Sequence, residues 1–113
     1  PGEATWALVA AHGEWVRETS SSGCILVKAM GEFAEHSTEI YEQARAAKAD
    51  LVARVRRALA VDGLPSDTGL DLRIYLALEG SNSAVPVVGA DAALGETERL
   101  VATLLTDARR GTA

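Results

Sequence analysis

The chain has 113 residues, of which 48% are hydrophobic and 24% charged, with a formal net charge of −5 and an isoelectric point near 4.9. This length holds one folded domain, and the balance of apolar and charged residues marks a globular chain rather than a disordered one. The acidity argues against a nucleic-acid-binding body, no apolar run approaches the roughly 18 residues of a membrane span, and no signal peptide opens the chain. Pro1 stands where an initiator Met is expected, so a processed form or a fragment is anticipated.

Periodicity predicts helix almost throughout. In the opening segment Trp6, Val9, Ala10, Gly13 and Val16 fall at spacings of three and four on one helical face. Leu8, His12 and Trp15 form an adjacent stripe, so this helix is expected to have neighbours on two sides. A Ser-rich break at residues 19–23 follows, in which Ser21 or Ser22 can cap a second helix. Leu26, Ala29, Met30 and Phe33 make the apolar stripe of that second helix.

A third and longest helix is predicted over residues 37–61. Ser37 or Thr38 can cap it, Glu39 suits its first turn, and Ile40, Ala44, Ala47, Leu51, Val55 and Leu59 form its inner face. Glu42 with Arg45 and Asp50 with Arg54 read as surface pairs of a few tenths of a kcal/mol each. Asp62, Gly63 and Pro65 end it.

The fourth helix, over residues 66–85, is apolar on nearly every side in its first half: Leu70, Leu72, Ile74, Tyr75, Leu76, Ala77 and Leu78. Such a helix must be covered all round. Its second half carries Ala77, Gly80, Ser81 and Ala84, small residues at helical spacing that permit a close crossing. Pro86 is expected to kink or stop it, with a connection over residues 87–91. A last helix over residues 92–109 offers Leu94, Leu100, Val101, Leu104, Leu105 and Ala108, with Gly111 as its stop. The fold class is therefore all-α, with five helices and no strand.

No catalytic constellation emerges. Cys24 near a helix start lacks a histidine base on its own segment and reads as a packing residue. As the only cysteine it forms no intramolecular disulfide, which fits a reducing compartment. Glu32 and His36 have i,i+4 spacing, but one such pair, even with His12 or Glu35, is not a metal site; both histidines read as surface or capping residues. The segment EGSNS, Glu79 to Ser83, lacks the strand-turn-helix context of a hydrolase serine. No cofactor is expected. The adaptable and amphipathic residues Trp6, Trp15, Met30, Phe33, Tyr41 and Tyr75, beside small Ala29, Ala44 and Ala47, suit a pocket between helices.

The stretch SGCILVKAMGEF, Ser22 to Phe33, resembles the second helix of the C-terminal domain of TetR-family transcriptional regulators. The likeness continues through the Ala/Arg-rich long helix ending near Asp62-Gly63 and the LALEG of Leu76 to Gly80. It takes in essentially the whole chain as a pattern of helices rather than a sharp signature. The resemblance implies a cytoplasmic regulator, a repressor of transcription. An N-terminal helix-turn-helix, which this chain lacks, would read operator DNA, and the domain present would bind a small effector and dimerise. The effector, apolar or amphipathic, would meet Trp6, Met30, Phe33, Tyr41, Tyr75 and Asn82. The last two helices would form a four-helix homodimer interface through Ala77, Gly80, Ser81, Ala84, Leu100, Val101, Leu104, Leu105 and Ala108. The rival reading is a stand-alone helical dimerisation or adaptor module.

Overall fold

The computed structural model describes residues 2–19, 38–65 and 68–111. Among these there are four helices and no strand: α1 Glu3–Thr19, α2 Thr38–Val61, α3 Leu70–Val88 and α4 Ala90–Gly111. The all-α expectation stands for these residues. The predicted second helix, with Cys24, Met30, Phe33 and His36, lies outside the described residues, so four of the five expected helices are seen.

Helix α1 begins on a cap supplied from elsewhere in the chain. Asp62, just beyond α2, accepts hydrogen bonds from the Ala4 amide at 2.9 Å, the Thr5 amide at 2.8 Å and the Thr5 hydroxyl at 2.6 Å. These are amide donors that a helix leaves unsatisfied at its first turn. Burial opposes ionisation of Asp62, but the Thr5 and Ala4 donors outweigh it and hold its carboxyl below the ordinary carboxylate range. Helix α2 ends as its sequence predicts. The Gly63 amide bonds the Ala60 carbonyl at 3.1 Å and the Leu64 amide bonds the Leu59 carbonyl at 2.9 Å, with Gly63 at φ 72°. This is a Schellman stop, which needs a residue tolerating positive φ, and Leu64 folds back onto the core beside Leu59.

The later part of the chain departs from expectation in three ways. Helix α3 starts at Leu70, behind Gly69 at φ 89°, and no side chain caps it. Pro86 does not stop it: the helix runs to Val88, and the Gly89 amide still bonds the Val85 carbonyl at 2.9 Å. A proline loses its own N–H and its ring crowds the carbonyl four residues back, but its φ is one a helix accepts, so a helix can run through it. The expected connection over residues 87–91 shrinks to Gly89, whose φ of 88° turns the chain directly into α4.

Packing forms two apolar clusters. The first joins Val9 of α1, Val55 and Leu59 of α2, Ile74 and Leu78 of α3, and Val101 and Leu105 of α4. The second, near the Gly89 joint, joins Val16, Val85, Ala93 and Leu94. Val85 clusters with the start of α4 and Ile74 with its far end, so α3 and α4 run antiparallel. Helix α2 buries less of its predicted face than expected. Ile40 is 38% exposed and Ala47 is exposed, whereas Lys48 on that stripe is buried.

Candidate functional site

Between the two apolar clusters lies a polar layer. It comprises His12 on α1, Ser81 and Asn82 on α3, and Thr97 on α4, all buried. Each follows from helical spacing: His12 sits midway between Val9 and Val16, and Ser81 and Asn82 sit between Leu78 and Val85. His12 is therefore neither a surface nor a capping histidine, contrary to expectation; α1 has helical neighbours on both its stripes, and its second stripe is covered too. Its Nε2 is 3.2 Å from the Leu78 carbonyl oxygen and 3.5 Å from Ser81 Oγ, and Ser81 Oγ donates to the same carbonyl at 2.6 Å. Burial lowers the His12 pKa below its ordinary 6.5 and Lys48 lowers it further, against the opposing pull of the Leu78 carbonyl and Glu79. The neutral Nε2–H tautomer fits this geometry. Thr97 satisfies itself on the Ala93 carbonyl at 2.8 Å.

Asn82 is the exception. It is fully covered, and neither its amide nitrogen nor its carbonyl oxygen has a hydrogen-bond partner among the described residues. Pro86 stands four residues later, so no amide is available to bond the Asn82 backbone carbonyl in helical fashion. One turn earlier on the same face, Glu79 Oε1 meets Lys48 Nζ of α2 at 2.8 Å, with side-chain exposures of only 18% and 11%. The removal of two charges from water is costly, and it is repaid only by close pairing of this kind.

Lys48 borders two clefts. One, of about 370 Å³, lies between α1 and α2 and includes Leu8, His12, Trp15 and Leu51. The other, of about 560 Å³, lies between α2 and α3 and includes Val52, Tyr75 and Glu79. The His12 and Trp15 ring centroids are 5.7 Å apart at a tilt of 38°. Of the sequence-predicted pocket residues, Tyr75 lines the α2–α3 cleft, and Asn82 lies two turns along the same α3 face. Tyr41 is half-buried on α2, two turns before Lys48. Trp6 is not with them, for it packs on the first apolar cluster. Met30 and Phe33 lie outside the described residues. Trp15, which residue chemistry also suggested for a pocket, lines the α1–α2 cleft, whereas sequence reasoning missed Lys48 and Glu79 and did not carry His12 into it. The available signal was a lysine inside the apolar stripe of α2 and an acid at i+4 from Tyr75.

A second feature lies on the opposite side of α3. There α3 and α4 enclose a predominantly apolar groove of about 590 Å³ whose lining includes Leu76, Ala77, Gly80, Ala84, Leu100 and Leu104. Leu76 is 64% and Leu100 49% exposed. Of the sequence-predicted interface residues, Ala77, Gly80, Ser81, Ala84, Leu100 and Leu104 line this groove. Val101 and Leu105 are covered by the chain's own core, and Ala108 packs on that core half-buried. The α3 surface is thus not covered all round within one chain. Among the described residues no three His, Cys, Asp or Glu side chains converge as metal ligands, and no helix is long and apolar enough to cross a membrane. The chain matches no family model, no curated protein and no solved structure.

Proposed function

We propose that this chain is the effector-binding and homodimerisation domain of a TetR-like transcriptional regulator, whose DNA reader is a helix-turn-helix outside these residues. The observation that carries the reading is the inversion of α3. Its inner face holds the buried Asn82 and the half-buried Glu79 beside clefts, while its outer face exposes Leu76 over small residues. Convergent polar groups in an otherwise apolar helical interior are the usual make-up of a small-molecule site. Exposed leucines over a small-residue groove are the usual make-up of a self-association surface.

The effector occupies the α1–α2 cleft bordered by His12 and Lys48 and is amphipathic, its apolar part lying toward Leu8, Trp15 and Leu51. Occupation alters the packing of α3, and through α3 the spacing of the two protomers and of the DNA readers they carry.

Sedimentation equilibrium provides the first test. Wild-type protein at tens of micromolar is expected to be a dimer, Ala84→Glu and Leu104→Glu are expected to be monomers, and Ala60→Glu, exposed on α2, is expected to remain dimeric. A monomeric wild type would remove the dimer reading. A thermal-shift screen of small molecules tests the effector reading, because a binder stabilises by RT ln(1 + [L]/Kd). A dimer that responds to no compound in a broad screen would favour the adaptor reading instead.

A further inference from the structure

Two charged side chains stand on the lining of the α3–α4 groove, and they are of opposite sign: Arg73 on α3 and Glu96 on α4. Both are exposed. Arg73 makes no ion pair among the described residues. Glu96 has only a loose one with Arg99 at 3.6 Å, between side chains that are 74% and 82% exposed. An exposed pair of that kind contributes little.

Their positions relative to the apolar centre of the groove are informative. Leu76 and Leu100 are the exposed leucines of the groove, one on each of the two antiparallel helices, 13 residues before and 11 after the Gly89 joint and so at similar levels along them. A self-complementary pairing that buries them passes its two-fold axis near their level. Arg73 lies three residues before Leu76, about 4.5 Å along α3, and Glu96 lies four residues before Leu100, about 6 Å along α4. Because the helices are antiparallel, these displacements point to opposite sides of the axis. A two-fold rotation exchanges the two sides. It therefore carries Arg73 of one copy to the level of Glu96 in the other, and does so twice.

We propose that Arg73 and Glu96 pair across the dimer and set its register, so that the groove accepts a second copy of this chain in one antiparallel arrangement. The proposal rests on the dimer reading above. Two symmetric pairs at the edge of an apolar seam act mainly on partner choice and register, since like charges placed opposite one another are penalised more than unlike ones are rewarded.

The test is a charge exchange followed by sedimentation equilibrium at low salt, with circular dichroism to confirm that each variant keeps its helices. Arg73→Glu alone places two Glu–Glu contacts in the homodimer, and Glu96→Arg alone places two Arg–Arg contacts; each is expected to weaken self-association at least tenfold. A 1:1 mixture of the two singles restores both pairs, so a heterodimer of near wild-type affinity is expected. The double variant Arg73→Glu/Glu96→Arg is expected to self-associate like the wild type. Wild-type dimer with unaltered self-association of both singles would overturn the pairing and leave the dimer reading intact, whereas monomeric wild type would overturn both. Singles that weaken association without recovery in the mixture would also overturn the pairing, since that result would reflect lost packing rather than lost complementarity.

Discussion

The two faces of α3 follow opposite rules. Its inner face covers Glu79 and Asn82, whereas its outer face leaves Leu76 open at 64% exposure. By the measure of one protomer both choices are unfavourable. An unpaired buried amide costs about 1–3 kcal/mol. A leucine left in water forgoes much of the roughly 2 kcal/mol its burial supplies. The difference teaches that the stability of a single protomer is carried by the apolar residues of the inner face, which flank its polar ones. Ile74 and Leu78, both fully covered, are those residues.

Substitutions can break this contrast. Leu78→Ala removes a side chain enclosed by three other helices and is expected to cost about 3–4 kcal/mol in urea unfolding. Leu76→Ala, two residues away, is expected to change protomer stability by less than about 0.5 kcal/mol when measured at a concentration where dimers dissociate. Equal costs at the two positions would erase the distinction between the faces.

The next effect concerns the inner face alone. Glu79→Leu removes the carboxylate facing the Lys48 ammonium in a largely dry setting and is expected to cost about 3 kcal/mol. Lys48→Met/Glu79→Leu replaces the pair by apolar groups, and the double variant is expected to recover most of that loss. A double-mutant cycle in which the two changes simply add would show that the pair is not coupled.

The smallest effect is a pH dependence. The folded chain holds His12 neutral to a lower pH than the unfolded chain does, so the unfolded state binds the extra proton first. Stability is then full above the unfolded value near 6.5 and declines as pH falls from there through the lowered folded pKa. His12→Gln is expected to flatten that part of the stability curve. Measured urea midpoints with the same slope in both proteins between pH 7 and 5 would discount His12 as its source.

Much of the fold was legible from spacing and from local stop chemistry. The Val9–Val16 and Val55–Leu59 stripes face the core as their periodicity requires, and Gly63 ends α2 because only a residue at ease with positive φ closes a Schellman turn. Interactions between distant parts of the chain were not legible. Asp62 looked like part of a helix stop, yet its carboxylate serves the first turn of α1, 57 and 58 residues away in sequence. Pro86 looked like a kink or a stop, yet α3 runs through it to Val88, with the adjacent Val85 clustered with Ala93 and Leu94. In the candidate site, Tyr75 and Asn82 could be chosen from residue chemistry, while Lys48 could not. A lysine in an apolar stripe is ordinarily expected to reach for water, and the facing Glu79, unseen from the α2 sequence alone, helps hold this one inside.

The polar layer also has a consequence for cooperativity. It divides the apolar interior, and the Asn82 carbonyl left without a helical amide by Pro86 falls at the same level. Among the described residues the two apolar clusters do not join across that level, so the end of the hairpin around Gly89 is expected to separate from the rest at a fraction of the global unfolding free energy. Native-state hydrogen exchange is expected to show it: the amides of Val85 and Leu94 exchange through a low-energy opening, while those of Leu59 and Val101 exchange only with complete unfolding. The domain then behaves as a firm lower body with a separately melting cap.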